Sequence, residues 1–167
     1  MEPVTMSAKT YYESPIGLIE IEGSGAGVSA IRFSQKRDAS SPVTPRPLLI
    51  CAKQLEEYFN GERTEFDVPL DLSSSPEFYR EVWRLVRSIP YGHTRSYSDI
   101  AITMSRPHAS RAVGQANGRN PIPIIIPCHR VIGKKGGLRG YAYGLGIKQA
   151  LLTMENPRKY NLQPALF

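Results

Sequence analysis

SYSDIAITMSRPHASRAVGQANG, residues 96–118, places two short helical segments on either side of a three-residue turn. Ser96 precedes the first segment and Asp99 follows three positions on, the residue pair of a reciprocal N-terminal cap. SRP (105–107) supplies the turn, and HASRAVGQANG (108–118) reads as the second helix. Two helices joined this way make a helix-turn-helix, a pattern shared by nucleic-acid readers and by ordinary helical hairpins. The second helix is small-sided: Ala109, Ser110, Ala112, Gly114 and Ala116 leave its backbone free to approach another surface closely. Arg111 is the one large charged side chain on it. A groove wall and an interhelix contact both suit such a surface, and the charge of the flanking chain favours the groove.

That charge is unevenly spread. The chain of 167 residues carries a net +6, yet residues 1–75 hold 7 Lys/Arg against 11 Asp/Glu, or −4, while residues 76–167 hold 14 against 4, or +10. A field concentrated in one half is the footprint of a polyanionic partner, or else a solvated basic face.

Composition and punctuation bound the rest. With 41% hydrophobic residues the chain builds a true core and has the size of one ordinary domain or two small ones. Cys51 and Cys128 are too few for a disulfide framework, and neither CxxC nor paired-histidine spacing is present, so no metal and no cofactor are expected. The start, MEPVTMSAKTYY, lacks the basic and apolar regions of a secretion signal, and no run of ~18 apolar residues occurs. The expected setting is reducing and cytoplasmic (nuclear in a eukaryote), with no membrane span.

Up to about Phe33 the pattern is of short strands with Gly-rich turns: KTYYES, then GLIEIEGSGAG with Leu18, Glu20 and Glu22 alternating against Ile19 and Ile21, then VSAIRFS. After a Pro/Ser/Thr loop from Ser40 to Pro47, LLICAKQLEEYFNGE sets Leu48, Cys51, Leu55, Tyr58 and Phe59 at helical spacing, stopped by Asn60-Gly61. Cys51 therefore reads as a buried structural thiol. The next helix, PEFYREVWRLVRSI, is expected to take a Ser cap with Pro76 in its first turn, and to bury Phe78, Val82, Leu85, Val86 and Ile89 with Trp83. The boundary between an acidic first domain (1–75) and a basic second one (76–167) falls just before it.

Beyond the helix pair, PIPIIIPCHRVIG (121–133) ends an apolar, proline-bracketed run on Cys128 and His129. Neighbouring side chains on a strand point to opposite faces, so the pair can cooperate only if Pro127 takes the chain out of an extended run. A thiol with a pKa near ~8.5 is only a few per cent thiolate at neutral pH and needs a base to act as a nucleophile. An inert buried cysteine beside a core histidine is the alternative for an isolated pair.

SYSDIA, RAVGQANGRNP, IPIIIPCHRVIG and GYAYGLGIKQALLTME, in this order and spacing, resemble the DNA-binding and active-site segments of the O6-alkylguanine-DNA alkyltransferases. The match runs from about Pro76 to Glu155, and SPIG with LEEYFNGERTEFDVPLDL resembles the family's N-terminal domain more loosely. The resemblance implies an α+β fold: a small N-terminal α/β, ribonuclease H-like domain, then a mostly helical domain with a winged-helix-like helix-turn-helix. It implies direct-reversal repair, in which the alkyl group on O6 of a flipped-out guanine passes irreversibly to Cys128, one turnover per molecule. Activity on O4-alkylthymine is left open.

Residue by residue, the resemblance implies a relay in which His129 reaches the Cys128 sulfur through a water and is held by Glu155. Tyr141, with the backbone N–H of Ala142, is the donor to the leaving purine, and the carbonyls of Cys128 and Val131 accept from the guanine amino group. Asn120 is the asparagine tying the reading helix to the active-site loop, and Lys148 belongs to the same pocket. Arg111 fills the gap left by the rotated base, Tyr97 presses on the adjacent phosphate, and Ala109, Ala112, Gly114 and Gln115 complete a surface for the minor groove. The partner is double-stranded DNA containing O6-alkylguanine, met by a monomer, with cooperative assembly left open.

One position departs from the family's GYxGG run: Tyr143 stands where most members have Gly, and a ring there either narrows the space beside the alkyl group, slowing bulky substrates, or adds a stacking face that favours aromatic substituents. Two other readings stay in comparison. A lesion binder lacking the nucleophile is opposed by Cys128 itself, and a cysteine hydrolase lacks an oxyanion-forming motif.

Overall fold

Thr10, Tyr12, Ile19, Ile21 and Ile31 alternate with polar neighbours, and that period-two pattern folds the first residues into an antiparallel meander. In the computed structural model, which describes residues 6–39, 41–134, 136 and 141–160, its strands are β1 (Ala8–Ser14), β2 (Gly17–Ser24) and β3 (Gly27–Ser34), in that order. Met1 to Thr5 of the start, Ser40 of the loop and Gly140 of the GYAYG run lie outside the described residues. The register pairs Tyr12 with Ile19 and Ile21 with Ile31. Gly27, at φ +148, is required there, because a Cβ would sit 2.7 Å from the Leu70 carbonyl carbon where Val28 pairs with Leu70.

The chain divides into two units, Met1–Ser74 and Ser75–Phe167. In the first, helix α1 (Arg46–Phe59) lays Leu48, Cys51, Leu55 and Tyr58 on the sheet, where Ile19, Ile21 and Ile31 are fully buried. Each such side chain contributes roughly 1.5–3 kcal/mol. Cys51 has no exposed surface, and burial pushes its thiol up to about 12. The other sheet face departs from simple alternation. Glu20 is 6% exposed, accepting from Tyr11 Oη at 3.1 Å and Arg32 Nη1 at 2.9 Å, and the loop after β3 meets its partner Tyr11. In that loop Asp38 N donates to Tyr11 Oη and Arg37 stacks on the ring.

The second unit is mostly helical. Helix α2 (Glu77–Arg87) is preceded by Pro76 in extended conformation, with no side-chain cap; the expected Ser cap does not form, since Pro76 itself occupies the cap position. Val82, Trp83, Val86 and Ile89 are buried, whereas Phe78 and Leu85 are only half-buried. Strand β4 (Arg95–Ser96) leads into α3 (Tyr97–Thr103), whose capping box is complete: Ser96 Oγ accepts from Asp99 N and Asp99 from Ser96 N, both at 3.0 Å. Helix α4 (Ser110–Gly118) follows the turn and is anchored by Val113 and Ala116, with Trp83 Nε1 donating to the Ala116 carbonyl at 2.7 Å. Then come a 3-10 turn (Cys128–Arg130), strand β5 (Val131–Ile132) parallel to β4, α5 (Leu145–Glu155) and α6 (Pro157–Tyr160). Among the described residues no helix is long and apolar enough to cross a membrane.

Candidate active site

The apolar run before Cys128 is a tight loop, not an extended strand. Ile126 N reaches back to the Ile122 carbonyl at 2.9 Å, and Ile124 sits at φ +74, a conformation that costs a β-branched residue free energy. Asn120 closes this loop, accepting from Ile122 N at 2.9 Å and donating to the Ile126 carbonyl at 2.7 Å. Pro127 (φ −79, ψ 67) forms an inverse γ-turn, with Cys128 N on the Ile126 carbonyl at 2.7 Å. The chain then enters a 3-10 turn over Cys128–Arg130 rather than an extended strand, so the Cys128 and His129 side chains are not forced onto opposite faces.

All three are buried, His129 completely. His129 Nε2 lies 2.8 Å from Glu155 Oε2, delivered by the last residue of α5. The same carboxylate receives Arg130, Nε on Oε1 at 2.8 Å and Nη2 on Oε2 at 2.9 Å. Arg130 Nη1 donates to the Ile89 carbonyl at 2.7 Å. Gly92, at φ +80, brings its N–H to 3.4 Å from Oε1, and a Cβ there would sit 3.3 Å from the Glu155 carbonyl. Despite burial, His129 and Arg130 hold the Glu155 carboxyl well below the usual carboxylate range, so it is ionised and Nε2 of His129 donates to it. Nδ1 of His129 is buried with no hydrogen-bond partner.

Burial pushes the Cys128 thiol up, opposed by Asn120, Lys148 and Tyr141. The thiol is thus protonated at rest. Tyr141 Oη is buried without a regular hydrogen-bond partner, and burial and Cys128 raise it well above its ordinary value, which keeps it a neutral donor. Lys148 has no exposed surface; Nζ donates to the Val131 carbonyl at 2.7 Å, and burial lowers its ammonium to about 8.

Two cavities meet here. One of about 10 Å³ is lined by Cys128, Asn117, Asn120, Pro123, Tyr141 and Tyr143, among others. It shares Gly118, Tyr141 and Ala142 with an open groove of about 740 Å³, whose wall includes Tyr97, Arg111, Gly114 and Lys134. The Tyr97 ring packs on α4, 3.6 Å from where a Gly114 Cβ would be. Arg111, Ala112 and Gln115 are exposed, and Ala109 precedes the helix half-buried. Tyr143 stands edge-on to Tyr141, ring centroids 6.0 Å apart.

Not every residue assigned to the pocket lies on its wall. Lys148 and Val131 are fully buried behind it and line neither cavity. The Cys128 carbonyl already accepts from Val131 N and from Asn117 Nδ2, the latter at 3.3 Å, so both its lone pairs are engaged. Arg130 and Asn117 were missed by sequence reasoning. Arg130 lies inside the PCHR motif and carried that signal; nothing in the sequence distinguished Asn117 from the small residues around it.

Comparison with known proteins accords with this arrangement. Residues 8–72 match the family model of the 6-O-methylguanine DNA methyltransferase ribonuclease-like domain, and residues 77–157 that of its DNA binding domain. A methylated-DNA–protein-cysteine methyltransferase of Mycolicibacterium paratuberculosis is 48% identical over 147 residues, 86% of this chain and 88% of that protein. The crystal structure of Mycobacterium tuberculosis O6-methylguanine methyltransferase aligns with a TM-score of 0.81 at 43% identity, covering 92% of this chain and 94% of that one. Mycobacterium tuberculosis OGT in complex with DNA aligns with a TM-score of 0.77 at 45% identity, covering 89% and 92%. With both domain models matched in order along nearly the whole chain, this protein belongs to the methylated-DNA–protein-cysteine methyltransferase family.

Proposed function

We propose that the chain repairs alkylated DNA directly, moving the alkyl group from O6 of a flipped-out guanine onto Sγ of Cys128 once per molecule. The observation that carries this is the meeting of the two cavities: an open groove of about 740 Å³ along α4 shares walls with the small cavity lined by the one buried thiol that has a histidine–carboxylate pair beside it. The S–H proton passes through a bridging water to Nδ1 of His129, and the imidazolium that forms rests against Glu155. Sulfur then bonds the alkyl carbon as the C–O6 bond breaks, and its electron pair returns to the purine. Tyr141 and the Ala142 N–H donate to the purine, whose anion takes up one proton to end as guanine, balancing the proton that Cys128 gave up to His129. The thioether is stable, and among the described residues lining the small cavity none offers a second nucleophile to cleave it. The acting species is a monomer in the cytoplasm. Incubation with a duplex containing O6-methylguanine should add one methylene to the intact mass, located on Cys128; DNA binding without that gain would select the lesion-binder reading.

Arg111 occupies the place of the extruded base and Tyr97 bears on the backbone beside it, while Asn120 closes the active-site loop on itself and Asn117, not Asn120, ties α4 to the Cys128 carbonyl. Rotating a nucleotide out costs a few kcal/mol, so Arg111→Ala is expected to slow repair of duplex substrate by about 10- to 100-fold. Reaction with the free base O6-methylguanine, which needs no rotation, should stay within a factor of about two. Equal slowing of both would remove Arg111 from this role.

Tyr143 sets the size of the transferable group. A cavity of about 10 Å³ takes one water-sized group, the scale of a methyl and far below a benzyl ring. The wild type should therefore react slowly with O6-benzylguanine, and Tyr143→Gly should speed that reaction by about tenfold or more while leaving methyl transfer nearly unchanged. A benzyl rate that the substitution leaves unaltered refutes the size gate.

A further inference from the structure

We propose that Arg130 is a positioning residue of the transfer reaction: by clamping the Glu155 carboxylate it fixes His129 as the neutral Nε2–H tautomer, with Nδ1 as the base that serves Cys128. The proposal rests on the alkyl-transfer reading above and adds to it a residue outside the Cys128, His129 and Glu155 set.

Glu155 Oε2 is shared between His129 Nε2 and Arg130 Nη2, and Oε1 between Arg130 Nε and Gly92 N. An ionised carboxylate only accepts, so the His129 nitrogen 2.8 Å away must carry the hydrogen and the lone pair is left on Nδ1. Nδ1 is the ring atom that meets no hydrogen-bond partner among the described residues. The guanidinium is itself fixed, 5% exposed, by the Ile89 carbonyl at 2.7 Å and by the Tyr91 ring 5.7 Å below it. A planar fork with a third donor to spare is the geometry of arginine, and an ammonium cannot reproduce it.

Charge follows geometry. Glu155 without Arg130 would be a buried anion facing His129 with no guanidinium to balance it, and an imidazolium would be its natural counter-ion. A histidine already protonated cannot take the thiol proton. With Arg130 in place the carboxylate is neutralised at rest, and the imidazole charges only when Cys128 gives up its proton. The charged groups acting on His129 are Arg130 on its own turn and Glu155 and Lys148 on α5, while Tyr91 and Gly92, on the segment after α2, meet the Arg130–Glu155 pair. Burial lowers the His129 pKa; Arg130 and Lys148 act in the same direction and Glu155 against them.

The test is the pH dependence of the methyl-transfer rate in wild type, Arg130→Met and Arg130→Lys, with urea melts of each. In Arg130→Met the acid limb should move up by about one pH unit or more, the rate recovering toward wild type as the pH is raised; Arg130→Lys should fall between them. A rate lowered equally at every pH, with the limb unmoved, reduces Arg130 to a structural role and overturns the proposal. Imidazole 15N NMR of the wild type covers the case in which Arg130→Met does not fold. Neutral imidazole protonated on Nε2 at neutral pH is expected, and an imidazolium or an Nδ1–H tautomer would overturn it. Failure of the alkyl-transfer reading shows separately, as a wild type that gains no mass from methylated duplex while its His129 signals still report the tautomer.

Discussion

Cys128→Ser should lose methyl transfer altogether while keeping its affinity for DNA. Burial already pushes the thiol up, and a serine hydroxyl in the same place would be far harder to ionise and intrinsically less nucleophilic toward carbon. Removing a nucleophile whose base and orienting group act as a unit costs on the order of 10⁴- to 10⁶-fold. The groove wall of Tyr97, Arg111 and Gly114 is untouched by the change, so fluorescence anisotropy with methylated duplex should give the wild-type affinity within about twofold. Intact-mass analysis should show no added methylene. Cys51 offers no bypass: it has no exposed surface, its thiol is pushed up to about 12, and it packs in the sheet–helix core of the other unit. A Cys128→Ser protein that still acquires the methyl group would overturn the assignment of the acceptor.

The parts of the fold legible in the sequence are those fixed by local rules. Ser96 and Asp99 announce the start of α3 because a capping box needs only four consecutive residues, and the alternation of Ile19 and Ile21 sets which sheet face α1 covers. What was not legible depends on long-range burial. Glu20 alternates like a surface residue, yet it is buried on Tyr11 and Arg32, and a loop nearly twenty residues on bonds to that tyrosine. The run before Cys128 has the composition of a strand, and the Asn120 side chain, bonded at both ends of it, folds it into a loop instead. The site shows the same division. Cys128 and His129 are adjacent and carry a motif, and Glu155, 26 positions on, came only from the family resemblance. That Lys148 lies behind the pocket rather than in it, and that Arg130 shares the carboxylate, depends on how α5 packs against the 3-10 turn.

Glu155→Ala should be the most destabilising single change in the second unit. It leaves the Arg130 guanidinium buried without its anion and His129 Nε2 without an acceptor, and breaking a buried pair from one side costs about 3–5 kcal/mol. Urea denaturation at neutral pH checks the magnitude. The pH dependence checks the cause. The Glu155 carboxyl is held below its unfolded value of about 4.3, so its stabilisation is complete above that pH and is lost as the pH falls toward the depressed folded value. The wild type should lose stability through this acid window, and Glu155→Gln, which cannot titrate, should show a flatter profile there from a lower starting point. Arg130→Met combined with Glu155→Leu separates the two roles of the carboxylate. Replacing both charges by apolar groups removes the orphaned cation and should recover much of the stability. Transfer should remain lost, because nothing would hold His129 with Nδ1 as its base. A double variant that regains methyl transfer along with its stability would show that the carboxylate serves the fold and not the reaction.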